Sequence, residues 1–220
     1  LPTSASHALI GGLIGAGLAH SGAAALRLDK LAGAIASIPL APLTGLVVGF
    51  ALIVGVYWLL RRSRPASVER AFRRGQLLSA GLYSLGHGAN DAQKTIGCII
   101  ALLIAAGMLE PTTGISLGNP QTLWVILACH AALAVGTLLG GWRILSTMEM
   151  RIVKLRPVGG FCAETAGALT LLVATQAGIP VSTTHTLAGS IVGVGATTKL
   201  SGVKWGIARR ILWAWLFTIP

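Results

Sequence analysis

Apolar residues run through this chain in blocks of about twenty, the length a helix needs to cross a ~30 Å hydrocarbon core. Such blocks fall at 38–60, closed by Arg61-Arg62-Ser63-Arg64, at 121–141, closed by Trp142-Arg143, and at 158–178, with one acid, Glu164, inside. Another begins at Ile207 and is cut by the end of the chain. Two stretches differ. Residues 76–109 are apolar at both ends around a polar centre, Gly86-His87-Gly88-Ala89-Asn90-Asp91-Ala92-Gln93-Lys94. Residues 181–198 open with Ser182-Thr183-Thr184-His185 directly after Pro180, then turn apolar and Gly-rich. Both patterns predict broken or re-entrant helices rather than plain spans.

Composition narrows the class. Of 220 residues 54% are hydrophobic and only 10% charged, against about 25% charged in a soluble domain. Too few polar side chains exist to cover a water-facing surface, so the expected fold class is an all-α polytopic membrane protein. Lys and Arg number 17 against 6 Asp and Glu, a net charge of +11. The basic residues sit between apolar blocks, which points to cytoplasmic loops and away from nucleic acid, since no aromatic-and-basic module accompanies them. The segment 61–74 holds six Arg and one Glu; 143–156 and 199–210 are also basic. Alternate crossings put all three on one side. Cys98, Cys129 and Cys162 lie in apolar runs with no CxxC pair, so they read as packing residues. His130, alone in an apolar block, reads as a buried helix–helix contact.

An internal repeat is visible at an offset of 178. Residues 2–17, beginning Pro2-Thr3-Ser4-Ala5-Ser6-His7, align without a gap with 180–195, beginning Pro180-Val181-Ser182-Thr183-Thr184-His185. Pro2, Ser4, His7, Leu9, Gly11, Gly15 and Gly17 all recur. The basic clusters flank the two copies in opposite senses, so the copies are expected to cross in opposite directions, as in inverted-repeat secondary transporters. The polar segment 86–94 precedes the second copy and has no counterpart before the first. Together with the leading Leu1 in place of Met, this leads us to expect a fragment whose upstream part, the N-terminal half of the same chain, supplies a similar segment. The division expected is 1–60 as the end of the first inverted repeat, 61–75 as a basic cytoplasmic loop, and 76–220 as the second repeat.

Chemistry concentrates at few positions. An ionised group in a membrane segment is costly and therefore a functional candidate, which singles out Asp91. Asn90, Gln93 and Lys94 share a helical face by their spacing, and Asp91 and Lys94, three apart, are able to pair. Ser182, Thr183 and Thr184 suit a helix N-terminus, whose free N–H groups and partial positive charge favour an anion. Recurrence of Ser4, Ser6 and His7 argues for a paired site, and His185 reads as a packing residue bonded to a backbone carbonyl, with a proton carrier and an oxyanion donor as the alternatives. A carboxylate beside an anion repels it in low dielectric, so a cation bound with the anion is expected, with Asp91 and Glu164 as the candidates that hold it.

At these residues the chain resembles the inorganic phosphate transporter (PiT) family. The resemblance rests on Gly86-His87-Gly88-Ala89-Asn90-Asp91-Ala92-Gln93-Lys94-Thr95-Ile96-Gly97 and on the Ser/Thr string after Pro180. It implies secondary transport of inorganic phosphate coupled to Na⁺ or H⁺, with both repeats contributing to one central site. Carried over residue by residue, Asn90, Asp91 and Gln93 match the first motif, Ser182, Thr183 and Thr184 the second, and Ser4 and Ser6 the first-repeat copy. Ala5 departs from the family's Val-Ser-Thr-Thr pattern and removes a hydroxyl. The resemblance implies no enzyme activity, no cofactor and no metal beyond a sodium ion at Asp91. Its partners are phosphate, the lipid bilayer of the inner (cytoplasmic) membrane and the upstream half of the chain; a homodimer is compatible with it. Rival readings are a symporter of another oxyanion such as sulfate, a passive channel, and a membrane-embedded enzyme using His87 and Asp91 as acid and base.

Overall fold

The computed structural model describes residues 4–145, 153, 155–179, 181–197, 206, 209 and 213, and these are almost entirely helical. The helices are α1 (Ala5–Ser21), α2 (Leu28–Leu59), α3 (Pro65–Ala105), α4 (Pro120–Leu145), α5 (Pro157–Gln176) and α6 (Thr183–Ala196), with a 3-10 turn at Gly22–Ala25. Local sequence sets their ends. Helices α3 and α5 carry Pro at the first helical position, where its missing N–H costs nothing. Asn119 caps α4, its carboxamide oxygen accepting the Gln121 N–H at 3.0 Å. Gly107 and Gly178, at φ +70° and +65°, follow α3 and α5 and turn the chain in the left-handed region.

Among the described residues, three helices are long and apolar enough to cross a membrane: Leu31–Leu59, Pro120–Gly141 and Pro157–Gln176. They coincide with the blocks expected at 38–60, 121–141 and 158–178. The chain is an all-helical, multi-pass membrane protein. Apart from Gly206, Arg209 and Trp213, the span expected from Ile207 and the basic group 199–210 lie outside the described residues, as does most of 143–156.

Two expectations change. The stretch 76–109 is not broken: α3 runs without interruption for 41 residues through the polar centre. At 1.5 Å per residue it is about 61 Å long, twice the hydrocarbon thickness. No proline interrupts it, and its polar side chains find partners on neighbouring elements, so the backbone has no need to open. The basic loop also shrinks: Leu60–Arg64 form the turn, and Arg70, Arg73 and Arg74 belong to the start of α3. In contrast, α6 has 14 residues and α1 has 17, about 21 and 26 Å, short of a full crossing and in keeping with re-entrant helices.

Packing centres on α6, which lies against α2 and α5, while α5 also lies along α3. Between lipid-embedded helices the driving force is close packing of small residues. Two small-xxx-small ladders meet here: Gly45 and Gly49 of α2 lie against Thr186 and Ser190 of α6, and Gly189 and Gly193 of α6 lie against Pro42 and Leu46 of α2. A Cβ on Gly49 would stand 2.7 Å from the Ser190 carbonyl oxygen, and one on Gly189 or Gly193 would run into the backbone carbonyls of Pro42 and Leu46. On the other side, Ile53, Cys162, Ile191 and Val194 form a buried cluster. Cys162 and Cys129 are buried and Cys98 half-buried, all as free thiols. His130 is exposed and bonds within its own helix, Nδ1 to the Ile126 oxygen at 2.8 Å, so it is not a buried interhelical contact.

Candidate substrate and ion site

The two copies of the repeat form the same local structure. Ser4 caps α1 and accepts the His7 N–H at 3.2 Å; Ser182 caps α6 and accepts the His185 N–H at 3.4 Å. In both copies the residue before the helix is extended, as an N-cap must be. The remaining first-turn N–H groups, of Ala5 and Ser6 in one and Thr183 and Thr184 in the other, have no carbonyl within their own helix to bond.

The fold brings these two turns together. His7 and His185, both fully buried, meet edge to face with ring centroids 4.7 Å apart. His185 also interacts with the Ile38 backbone. Pro42 sits four residues on in α2 and has no N–H for the Ile38 carbonyl. This matches the packing role expected of His185. Its contact with His7 was not foreseen; the shared position in the repeat was the signal.

The α3 centre lies beside both turns. Lys94 Nζ donates to Ser6 Oγ at 2.6 Å, to the Val181 carbonyl at 3.0 Å and to Asp91 Oδ1 at 3.2 Å. The Asp91–Lys94 pairing expected from spacing is present. Asp91 Oδ2 accepts from the Thr183 hydroxyl at 3.4 Å, with His87 Nδ1 at 3.7 Å. Asn90 is buried, and its amide donates to the Val181 carbonyl at 3.5 Å and to Asp91 Oδ1 at 3.4 Å. Tyr83, two turns earlier on α3, donates its hydroxyl to the Thr183 carbonyl at 3.1 Å. Tyr83 went unnoticed in the sequence, although 83, 87 and 91 are spaced four apart and share one helical face.

Of the expected site residues, Ser4, Ser6, Asn90, Asp91, Ser182 and Thr183 therefore converge, with Thr184 half-buried in the same turn. Two do not join them. Gln93 is exposed on α3, whereas Asn90 is buried. Glu164 is held instead by Ser79 at 2.5 Å and Gln76 at 3.3 Å, about 18 Å along α3 from Asp91 by helical rise. A cavity of about 470 Å³ adjoins the cluster, lined by Ser6, Lys94 and Cys98 at one end and Arg27 at another, with apolar walls from α1.

Chemically, the arrangement offers an anion two helix N-termini, several hydroxyls and an ammonium. Its one carboxylate is already charge-balanced by Lys94. Among the described residues no cluster of three or more His, Cys, Asp or Glu is placed to hold a metal ion.

Comparison with known proteins agrees with this picture. The chain is 50% identical over 220 residues to a probable low-affinity inorganic phosphate transporter of Rhizobium meliloti and 40% identical to one of Bacillus subtilis. Each match covers all of this chain and 64% of the relative. A Mycobacterium tuberculosis relative with the same description is 39% identical, with 52% of its length covered. The chain thus spans between half and two thirds of these relatives. Among solved structures, one described as the sodium-dependent phosphate transporter shares the fold with a TM-score of 0.82 at 21% identity, over all of this chain and 70% of that one. The model of the phosphate transporter family matches residues 1–220, and the chain belongs to that family, the inorganic phosphate transporters, whose members are transporters and not enzymes.

Proposed function

We propose that this chain is part of a symporter that carries inorganic phosphate across the cytoplasmic membrane together with H⁺ or Na⁺. The observation that carries the reading is the convergence of the Ser4- and Ser182-capped helix N-termini beside Asp91 and Lys94. Phosphate binds between the two turns, on first-turn N–H groups and on the hydroxyls of Ser4, Ser6, Ser182, Thr183 and Thr184, with Asn90 at its border. Gln93, exposed on α3, is a further polar candidate for a phosphate contact. Asp91 is the anionic anchor for the charge that accompanies phosphate, and Glu164 is a second, separate carboxylate farther along α3. The two repeats move against each other to open the site to either side.

The relatives' descriptions as phosphate transporters support the substrate and support carriage over catalysis. The test is labelled-phosphate uptake by the full-length protein in cells lacking other phosphate transporters, beside Asp91→Asn. Wild-type uptake that sulfate in tenfold excess leaves intact, and that falls at least tenfold in the variant, is expected. Uptake abolished by sulfate would reassign the substrate to another oxyanion. Equal uptake by the variant would remove Asp91 from the mechanism.

A further inference from the structure

A carboxylate at an anion site needs a compensating positive charge, and the structure contains one. The Lys94 ammonium has three N–H donors and three oxygen partners, each from a different part of the chain. They are Ser6 Oγ on α1 at 2.6 Å, the Val181 carbonyl before α6 at 3.0 Å, and Asp91 Oδ1 on α3 at 3.2 Å. The Thr183 hydroxyl donates to the other carboxylate oxygen, His87 Nδ1 stands 3.7 Å from it, and the Asn90 amide also donates to Oδ1. Carboxylate, carbonyl and hydroxyl oxygens are the donor set that hard cations take. Here a tethered ammonium already satisfies them, and a second cation in the same shell would face like charge at contact distance.

We propose that Lys94 is a resident cation that fills the cation position beside Asp91, so that Asp91 binds no sodium ion in this chain. Phosphate binding between the two helix turns then needs no Na⁺. The inference rests on the phosphate reading above and deepens it by deciding what neutralises Asp91. Because the charge is covalently tethered, its presence does not depend on the salt in the medium. It also ties the three elements that bear the site to one atom.

The experiment uses the purified full-length protein with two readouts. The first is thermal unfolding in NaCl against choline chloride at equal ionic strength. The second is labelled-phosphate uptake into proteoliposomes in the same two salts. Wild-type protein is expected to unfold at the same temperature in both salts, with uptake differing less than twofold. Lys94→Asn vacates the shell and leaves its oxygens. It is expected to gain a sodium-specific rise in melting temperature, and its uptake in choline is expected to fall at least tenfold and recover at least fivefold with Na⁺. A sodium-specific stabilisation of the wild type, or wild-type uptake that requires Na⁺, overturns the inference and leaves phosphate transport intact. Unchanged Lys94→Asn uptake in choline also overturns it. If Lys94→Asn does not fold, the wild-type comparison still decides, and the charge-neutral pair Asp91→Asn with Lys94→Gln should show no sodium-specific shift. Absence of wild-type phosphate uptake in either salt overturns the transport reading instead, while the unfolding comparison continues to test Lys94.

Discussion

Ser4 and Ser182 head helices with the same opening turn and very different surroundings. In α6, Thr183, His185, Thr186, Ala188, Gly189, Ser190, Ile191, Gly193, Val194 and Gly195 are all buried. In α1 only Ser6 and His7 are. The cap and the first turn are properties of the local sequence and appear in both copies. The packed body is a property of what surrounds each copy: α6 is clasped by α2 and α5, while the described part of α1 is held at its tip by Lys94 and His185. Among the described residues, a site shared between the two turns thus has one side packed between α2 and α5 and one side joined by a few contacts.

The largest effect should come from cutting the stitch between them. Asp91 and Lys94 are both 18% exposed at the side chain. Removing one member of such a pair leaves an uncompensated charge, which costs about 3 kcal/mol where burial is substantial. Asp91→Ala is expected to lose about that much stability, and α1 should loosen more than α6. Hydrogen exchange resolved by helix checks the second part. Equal loosening of both helices would mean that α1 has firmer support than its tip.

Glycines at matched positions give a sharper contrast. Gly193 and Gly15 occupy the same place in the repeat, 178 residues apart. A Cβ on Gly193 meets the Leu46 backbone, while one on Gly15 meets nothing within 4 Å among the described residues. Gly193→Ala must push two helices apart and should cost about 2 kcal/mol, in the range of overpacked cores. Gly15→Ala removes a flexible residue from a helix interior and should stabilise by about 0.5 kcal/mol. Melting temperatures of the two variants, each against the parent chain, decide. A loss at Gly15 as large as at Gly193 would show that this face of α1 has a packed neighbour beyond the residues described here.

Much of this architecture is readable from one sequence, and the reasons divide cleanly. The spans follow from length and hydropathy, because lipid admits few other solutions. The caps follow from Ser and Thr after Pro180, and the recurrence of Ser4 and His7 tells which turns are equivalent. The continuity of α3 is not readable. A Gly-rich polar string looks like a break, yet Asn90, Asp91 and Lys94 are satisfied by Val181, Thr183 and Ser6, residues 87 to 92 positions away whose proximity no local pattern encodes. The placements of Gln93 and Glu164 escape the sequence for a related reason. Periodicity places Gln93 near the face of Asn90 and Lys94, but consecutive positions lie about 100° apart, and Gln93 falls on the exposed side while Asn90 is buried. Glu164 is a mid-span acid, and only the register of α5 on α3 sends it to Ser79 and Gln76 instead of Asp91.

The caps themselves supply the smallest and most selective prediction. Ser182→Ala and Ser4→Ala each remove one hydroxyl that accepts a third-residue N–H, a change worth about 1 kcal/mol in either helix. The chemical loss is the same, and its expression should differ. The first turn of α6 is continuous with the packed body, so Ser182→Ala should lower the global melting temperature. The described α1 packs mainly on the 3-10 turn that follows it, and elements with few tertiary contacts open by themselves at low free energy. Ser4→Ala should therefore leave the melting temperature nearly unchanged and instead raise hydrogen exchange in the first turns of α1. Phosphate uptake separates the roles further. If the hydroxyls serve the substrate as well as the helix, Thr at either position should restore uptake as well as the cap. If they serve only the helix, Asn or Asp should do so equally well, since those side chains cap as strongly as Ser. An Asp at position 4 or 182 that caps normally yet abolishes uptake would place an anion directly against that turn.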